Sequence, residues 1–112
     1  MGRNRAVESM AMTALLVARP EKQEELLQAL KPLAEEARAQ PGCLQCLAAQ
    51  DLEGRARFLL YLCWKDRDGL NRYAASRGFQ ILLGASSILL AEPASFRFFG
   101  ADAGPVLARR QP

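Results

Sequence analysis

Gln40-Pro41-Gly42-Cys43, followed by Arg57-Phe58-Leu59-Leu60-Tyr61-Leu62-Cys63-Trp64, decides the fold. Pro41 and Gly42 stop the helix before them, because Pro lacks the backbone N–H and Gly accepts the left-handed backbone of a helix end. Two runs with strand character come next, Leu44 to Asp51 and Arg57 to Trp64. Between them lies Leu52-Glu53-Gly54-Arg55-Ala56, whose Gly54 suits a hairpin loop. Strands joined by so short a loop pair antiparallel.

Upstream, Leu26, Leu27, Leu30, Leu33, Ala34 and Ala37 recur at helical spacing. Pro20 suits the first turn of that helix, and Glu21, Glu24 and Glu25 complement its positive end. Pro32 should kink it, and Arg38 sits well near its negative end. Met12 to Val17 reads as a first strand ending at Arg19-Pro20. Downstream, Asp66-Arg67-Asp68 supplies a cap and an acidic first turn for a helix through Asn71 and Tyr73. Ser76 or Gly78 interrupts it, Phe79 to Leu90 forms a further helix, and Pro93 closes that. Ala94 to Phe99 alternates Phe96 and Phe98 against Ser95 and Arg97, which makes a fourth strand.

The order β-α-β-β-α-β predicts an α+β ferredoxin-like fold, with a four-stranded antiparallel sheet carrying its helices on one face. In the third strand Phe58, Leu60, Leu62 and Trp64 point one way, and Leu59, Tyr61 and Cys63 the other. Both faces are apolar, yet one domain's helices cover only one. A homodimer packed sheet to sheet is therefore expected. Residues 1–10 read as a loose leader, 11–100 as the single domain and 101–112 as a polar tail.

The 112 residues contain no histidine, the commonest general base and metal ligand. The net charge is +3, and most of the basic excess sits in the ends, at Arg3, Arg5, Arg109 and Arg110. With no basic face carrying aromatic or helical readers, nucleic acid is not an expected partner. Phe79 to Ala91 is too short to span a bilayer, and no apolar signal segment follows Arg3 and Arg5. A cytoplasmic protein without membrane partners is the expectation. Three cysteines suit a reducing compartment. Cys43 and Cys46 form a C-x-x-C, but on an extended strand residues three apart lie roughly 10 Å apart on opposite faces, too far for a disulfide. Two thiols without histidine also make a poor metal site, and none is expected.

Arg19-Pro20-Glu21-Lys22, the helix with Leu30, Pro32-Leu33 and Ala37-Arg38, then Gln40-Pro41-Gly42-Cys43, Arg57 to Asp66, Leu70, Tyr73, Ser76 and Phe79 together resemble the antibiotic biosynthesis monooxygenase domain. The resemblance covers about Met12 to Phe99. It implies a dimeric α+β barrel with a small-molecule pocket between sheet and helices in each subunit. Similar proteins include quinol and anthrone monooxygenases that use O2 without metal or flavin, haem-degrading enzymes, and isomerases or degradation enzymes for small carbonyl metabolites. This chain departs from the pattern at three places. Leu62 stands where relatives carry a glutamate, Tyr73 where they carry a histidine, and Thr13 or Ala14 near the usual first-strand asparagine. Loss of the axial ligand disfavours haem chemistry.

Cofactor-free oxygenation needs a substrate that supplies its own electrons, such as a deprotonated phenol or quinol. The protein must hold a flat ring, help remove a proton and stabilise the oxyanion. The candidates are Trp64 to stack on the ring and donate its indole N–H, Tyr73 to orient a phenolic oxygen or relay a proton, and Arg97 to stabilise an anion. Phe58, Leu60, Leu62, Phe79 and Leu82 are the expected walls of the substrate pocket. Convergence of Arg97 and Tyr73 near Trp64 would favour oxygenation, and a wholly apolar closed pocket would favour a module that only binds an apolar ligand. An isomerase or degradation enzyme for a small oxygenated metabolite is the third reading, and it would want more polar groups. No cofactor is expected.

Overall fold

The computed structural model describes residues 9–100. The elements are β1 (Met10–Val17), a 3-10 turn (Pro20–Lys22), α1 (Gln23–Arg38), β2 (Cys43–Gln50), β3 (Arg57–Trp64), α2 (Arg67–Ala74), α3 (Arg77–Leu89) and β4 (Ser95–Gly100). The sheet is antiparallel throughout, with strand order β2-β3-β1-β4. This is the ferredoxin-like α+β arrangement. Met10 opens β1, one residue before the expected start of the domain at residue 11. The remaining leader before Ser9, and the tail 101–112, lie outside the described residues.

Local chemistry accounts for the breaks between elements. Gly42 has φ 91°, the left-handed backbone that turns α1 into β2. Asp66 caps α2 by accepting from the Gly69 N–H at 2.8 Å, and Ser76 caps α3 by accepting from the Phe79 N–H at 3.3 Å. The second helical stretch is therefore two helices with a break at Ala75–Ser76. Among the described residues no helix is long and apolar enough to cross a membrane.

Pro32 lies inside α1 without ending it. It is exposed, so replacement removes no core contact. Pro32→Ala restores one helical hydrogen bond and should stabilise the fold by about 1–3 kcal/mol. Urea unfolding would read this as a rise in midpoint, and an unchanged or lower midpoint would contradict it.

Register sorts the sheet's two faces. Met12, Ala14 and Leu16 pair with Leu62, Leu60 and Phe58, and all six pack with Leu26, Leu30 and Leu33 of α1 in the main core. On the other face Ala11, Tyr61 and Cys63 form a second buried cluster, with Leu47 and Phe99 packed against it.

One expectation fails at the start of β2. Cys43 pairs with Trp64 but Gln45 pairs with Cys63, so the ladder slips by one residue at Leu44. A bulge of this kind reverses the alternation. Cys43 and Cys46 consequently share the helix-covered face rather than lying on opposite faces. Both thiols are shifted upward by burial, Cys46 from 9.0 to about 11, which outweighs the opposing Arg38 charge. They are packed apolar side chains, not activated nucleophiles.

The raised Cys46 value fixes the sign of a pH effect. The native state keeps a proton that the unfolded chain releases, so this contribution is complete below 9.0 and is lost as pH rises towards 11. Tyr61, pushed up to about 12 by burial and by Cys63, extends the loss in the same direction. Urea midpoints should fall steadily between roughly pH 8 and pH 11. A flat profile would mean that these groups are hydrated in the native state.

Candidate functional site

β3 ends at Trp64, and the chain doubles back over it. Gly69, in the first turn of α2, lies over the indole, where a Cβ would make ordinary van der Waals contact with Trp64 Cε3 at 3.4 Å. This approach, together with the Asp66 cap, sets the angle at which α2 leaves the sheet. Helical spacing from Gly69 then places Leu70 and Tyr73 on the inner side. Tyr73 stacks on Trp64 with ring centroids 5.2 Å apart and an interplanar angle of 30°. The Ser76 cap starts α3 so that Phe79 follows at 5.4 Å from Tyr73, and Phe96 of β4 lies 5.9 Å beyond Phe79. Four aromatic rings thus run from the end of β3 to the edge strand, with Leu62 and Leu82 buried beside them.

Two polar atoms interrupt this apolar stack. Trp64 Nε1 and Tyr73 Oη are both buried without a hydrogen-bond partner among the described residues. The residues themselves are 1% and 3% exposed. An unpaired buried donor costs about 1–3 kcal/mol, so two on adjacent stacked rings are an anomaly in a core. Burial first, then the proximity of Cys46, Glu36 and Cys43, hold the Tyr73 phenol well above its ordinary range. Tyr73 therefore keeps its proton at neutral pH and can donate a hydrogen bond but not act as a base.

Not every expected residue reaches this place. Arg97 pairs with Thr13, and its neighbours Phe96 and Phe98 pair with Ala14 and Met12. Since Ala14 and Met12 face the helices, Arg97 emerges on the opposite face, exposed, away from Trp64 and Tyr73. The convergence expected of Arg97 does not occur within one subunit, because strand alternation forbids it. Phe58 shares the correct face but lies six positions from Trp64, about 20 Å along the strand. It lines a separate cleft of about 250 Å³ with Leu27, Leu30, Ala34 and Ala48. Leu60 lies between, fully buried. The cluster that forms is Trp64, Tyr73, Phe79 and Leu82, with Leu62, Leu70 and Phe96.

Sequence reasoning missed two participants. Phe96 joins the stack through the β1–β4 pairing. Glu36 of α1 reaches Gly78 at the start of α3, where a Cβ would collide with its carboxylate. The alternation in β4 signals the first, but no local signal announces the second.

Residues 9–81 match the profile of the antibiotic biosynthesis monooxygenase family. The chain belongs to that family. Its Trp64, Tyr73 and Phe79 all fall within the matched region, and β4 lies beyond it. An uncharacterised Synechocystis protein is 24% identical over 94 residues, which is 84% of this chain and 64% of that protein. This member of the family thus spans less than two thirds of that relative's length. A crystal structure from Pseudomonas aeruginosa superposes with a TM-score of 0.78 at 24% identity, covering 87% of this chain and 97% of that one. One from Mycobacterium tuberculosis gives 0.76 at 20% identity, with 81% and 92% covered. A further structure, described as an antibiotic biosynthesis monooxygenase, gives 0.75 at 23% identity, with 86% and 99% covered. At these identities the likeness is one of fold.

Proposed function

We propose that this family member oxidises a small aromatic quinol or polyketide-like phenol with O2 at the Trp64–Tyr73 cluster, without a metal or organic cofactor. The observation that carries the reading is the pair of buried, unpartnered donors, Trp64 N–H and Tyr73 O–H, set in an aromatic stack. A flat ring lying against Trp64 would satisfy both through its own oxygens and remain in apolar contact with Phe79 and Leu82. As the substrate loses a hydroxyl proton, negative charge grows on its oxygens, and the two donors stabilise it more in the transition state than in the ground state. The anion passes an electron to O2. One oxygen atom enters the ring carbon and the other leaves as water, the substrate itself being the reductant.

Haem fits this site poorly. Tyr73 occupies the position where the resemblance expects a histidine, and its buried hydroxyl holds its proton instead of offering an anionic ligand. A second reading, a module that binds a small apolar ligand without turning it over, is favoured by one observation. Arg97 emerges on the far face, so it brings no positive charge to the cluster. The third reading, an isomerase or degradation enzyme, has less support because both unpartnered buried side-chain atoms of the cluster among the described residues, Trp64 Nε1 and Tyr73 Oη, are neutral donors.

O2 uptake by the purified protein against a panel of hydroxynaphthoquinols and anthrones tests this directly, with Trp64→Phe and Tyr73→Phe alongside. Each variant keeps an aromatic ring at its position, a smaller one at 64, and loses one donor, so each should lower turnover by roughly tenfold to a hundredfold. Absence of turnover above the spontaneous rate, together with saturable quenching of Trp64 fluorescence by the same compounds, would replace oxygenation by the binding reading. We place the active form in the cytoplasm as a homodimer joined through the second sheet face, where Tyr61 and Cys63 lie.

A further inference from the structure

The proposed chemistry needs a proton acceptor, and the residues at the usual glutamate and histidine positions, Leu62 and Tyr73, cannot serve. Glu36 lies on α1 next to the buried Ala37 and is itself exposed, so its carboxylate stays in contact with water. Its head group crosses to the first turn of α3. A Cβ at Gly78 would collide with Oε1 and stand 3.2 Å from Cδ, so the carboxylate fills the space a side chain at 78 would take. Gly78 directly precedes Phe79 and lies five positions after Tyr73, which puts the carboxylate at the rim of the aromatic stack. The ion pairs among the described residues are Lys22 with Glu25 and Asp51 with Arg57, so Glu36 belongs to neither. Asp66, the other acid beside the stack, is engaged in capping α2.

We propose that the Glu36 carboxylate, admitted by the absence of a side chain at Gly78, takes the proton from the hydroxyl of a phenol or quinol held at the Trp64–Tyr73 cluster. This rests on the oxygenase reading of the cluster. In the step the substrate O–H bond breaks, the proton goes to a Glu36 oxygen and the electron pair stays on the substrate as phenolate. Tyr73 and Trp64 remain donors throughout. The effect of Glu36 on the Tyr73 phenol independently indicates that the carboxylate and the cluster are within electrostatic reach. Proximity of the acceptor to the oxygen it serves is the requirement for general base catalysis.

Two variants remove the acceptor by different routes. Glu36→Gln deletes the charge, and Gly78→Ala leaves it intact but pushes it out of place. In O2-uptake assays each should lower kcat by roughly a hundredfold or more, with KM and the quenching of Trp64 fluorescence little changed. A structural role would instead move KM, quenching and thermal stability together. Binding of 4-nitrophenol, whose neutral and ionised forms absorb at different wavelengths, gives a readout independent of turnover. With the carboxylate beside its hydroxyl, bound nitrophenol resists ionisation, and in both variants its ionised-to-neutral ratio at fixed pH should rise roughly tenfold. Wild-type turnover unaffected by Glu36→Gln would overturn the role of Glu36 and leave the oxygenase reading standing. If the wild type has no turnover, the oxygenase reading fails, and an identical nitrophenol ratio in wild type and variants would overturn the placement of Glu36 as well.

Discussion

Trp64→Ala should destabilise the fold by about 3–5 kcal/mol and remove ligand binding, whereas Tyr61→Phe should leave both nearly unchanged. Trp64 is 1% exposed and supports the stack with Tyr73, and α2 folds over it through Gly69. Its loss would leave a void that the stiff strand β3 and the capped start of α2 cannot close. Against a total stability of about 5–15 kcal/mol for a domain of this size, that is a large fraction. Tyr61 is buried on the opposite face, and its hydroxyl has no partner among the described residues. Removing that oxygen takes away a desolvated polar atom without breaking a hydrogen bond. Urea unfolding followed by circular dichroism and equilibrium dialysis of a hydroxynaphthoquinol measure the two effects separately in both variants. Equal responses from the two variants would show that the assignment of faces in β3 has no functional meaning.

Leu59→Lys should abolish the proposed sheet-to-sheet dimer without unfolding the subunit. Leu59 lies on the face away from the helices and is 38% exposed, so a lysine there can still reach water in the isolated subunit. The same face carries buried Ala11, Tyr61 and Cys63, with Leu47 and Phe99 packed against them. Two copies of such a face pack well around a two-fold axis, and near that axis each lysine would meet its own counterpart. Desolvating two like charges there costs several kcal/mol, enough to dissociate an interface of ordinary affinity. Light scattering at micromolar concentration distinguishes the states. A wild type that is already monomeric would dismiss the sheet-to-sheet dimer.

Much of the architecture is legible in the sequence because its signals are local. Pro41-Gly42 ends α1, Asp66 and Ser76 cap α2 and α3, and the alternation of Phe96 and Phe98 with Ser95 and Arg97 marks β4. Each depends on a few bonded neighbours and on backbone preferences that hold in isolation. The membership of the site was legible only in part. Trp64, Tyr73 and Phe79 stack, with Leu82 in the same core, whereas Arg97 lies on the other face and Phe58, though part of that core, sits at the far end of β3.

What the sequence determined by itself was therefore the order of elements and the alternation within each strand, both consequences of short-range sterics. The tertiary structure decided which strand lies against which and in what register, and through that which side every strand residue occupies. Pairing with Thr13 puts Arg97 on the far face, and the slip at Leu44 returns Cys43 to the face of Cys46. It also decided that Glu36 and Gly78, 42 positions apart, share one space. Such contacts arise from how α1 and α3 pack on the sheet, an outcome of the whole core that no local run of residues encodes.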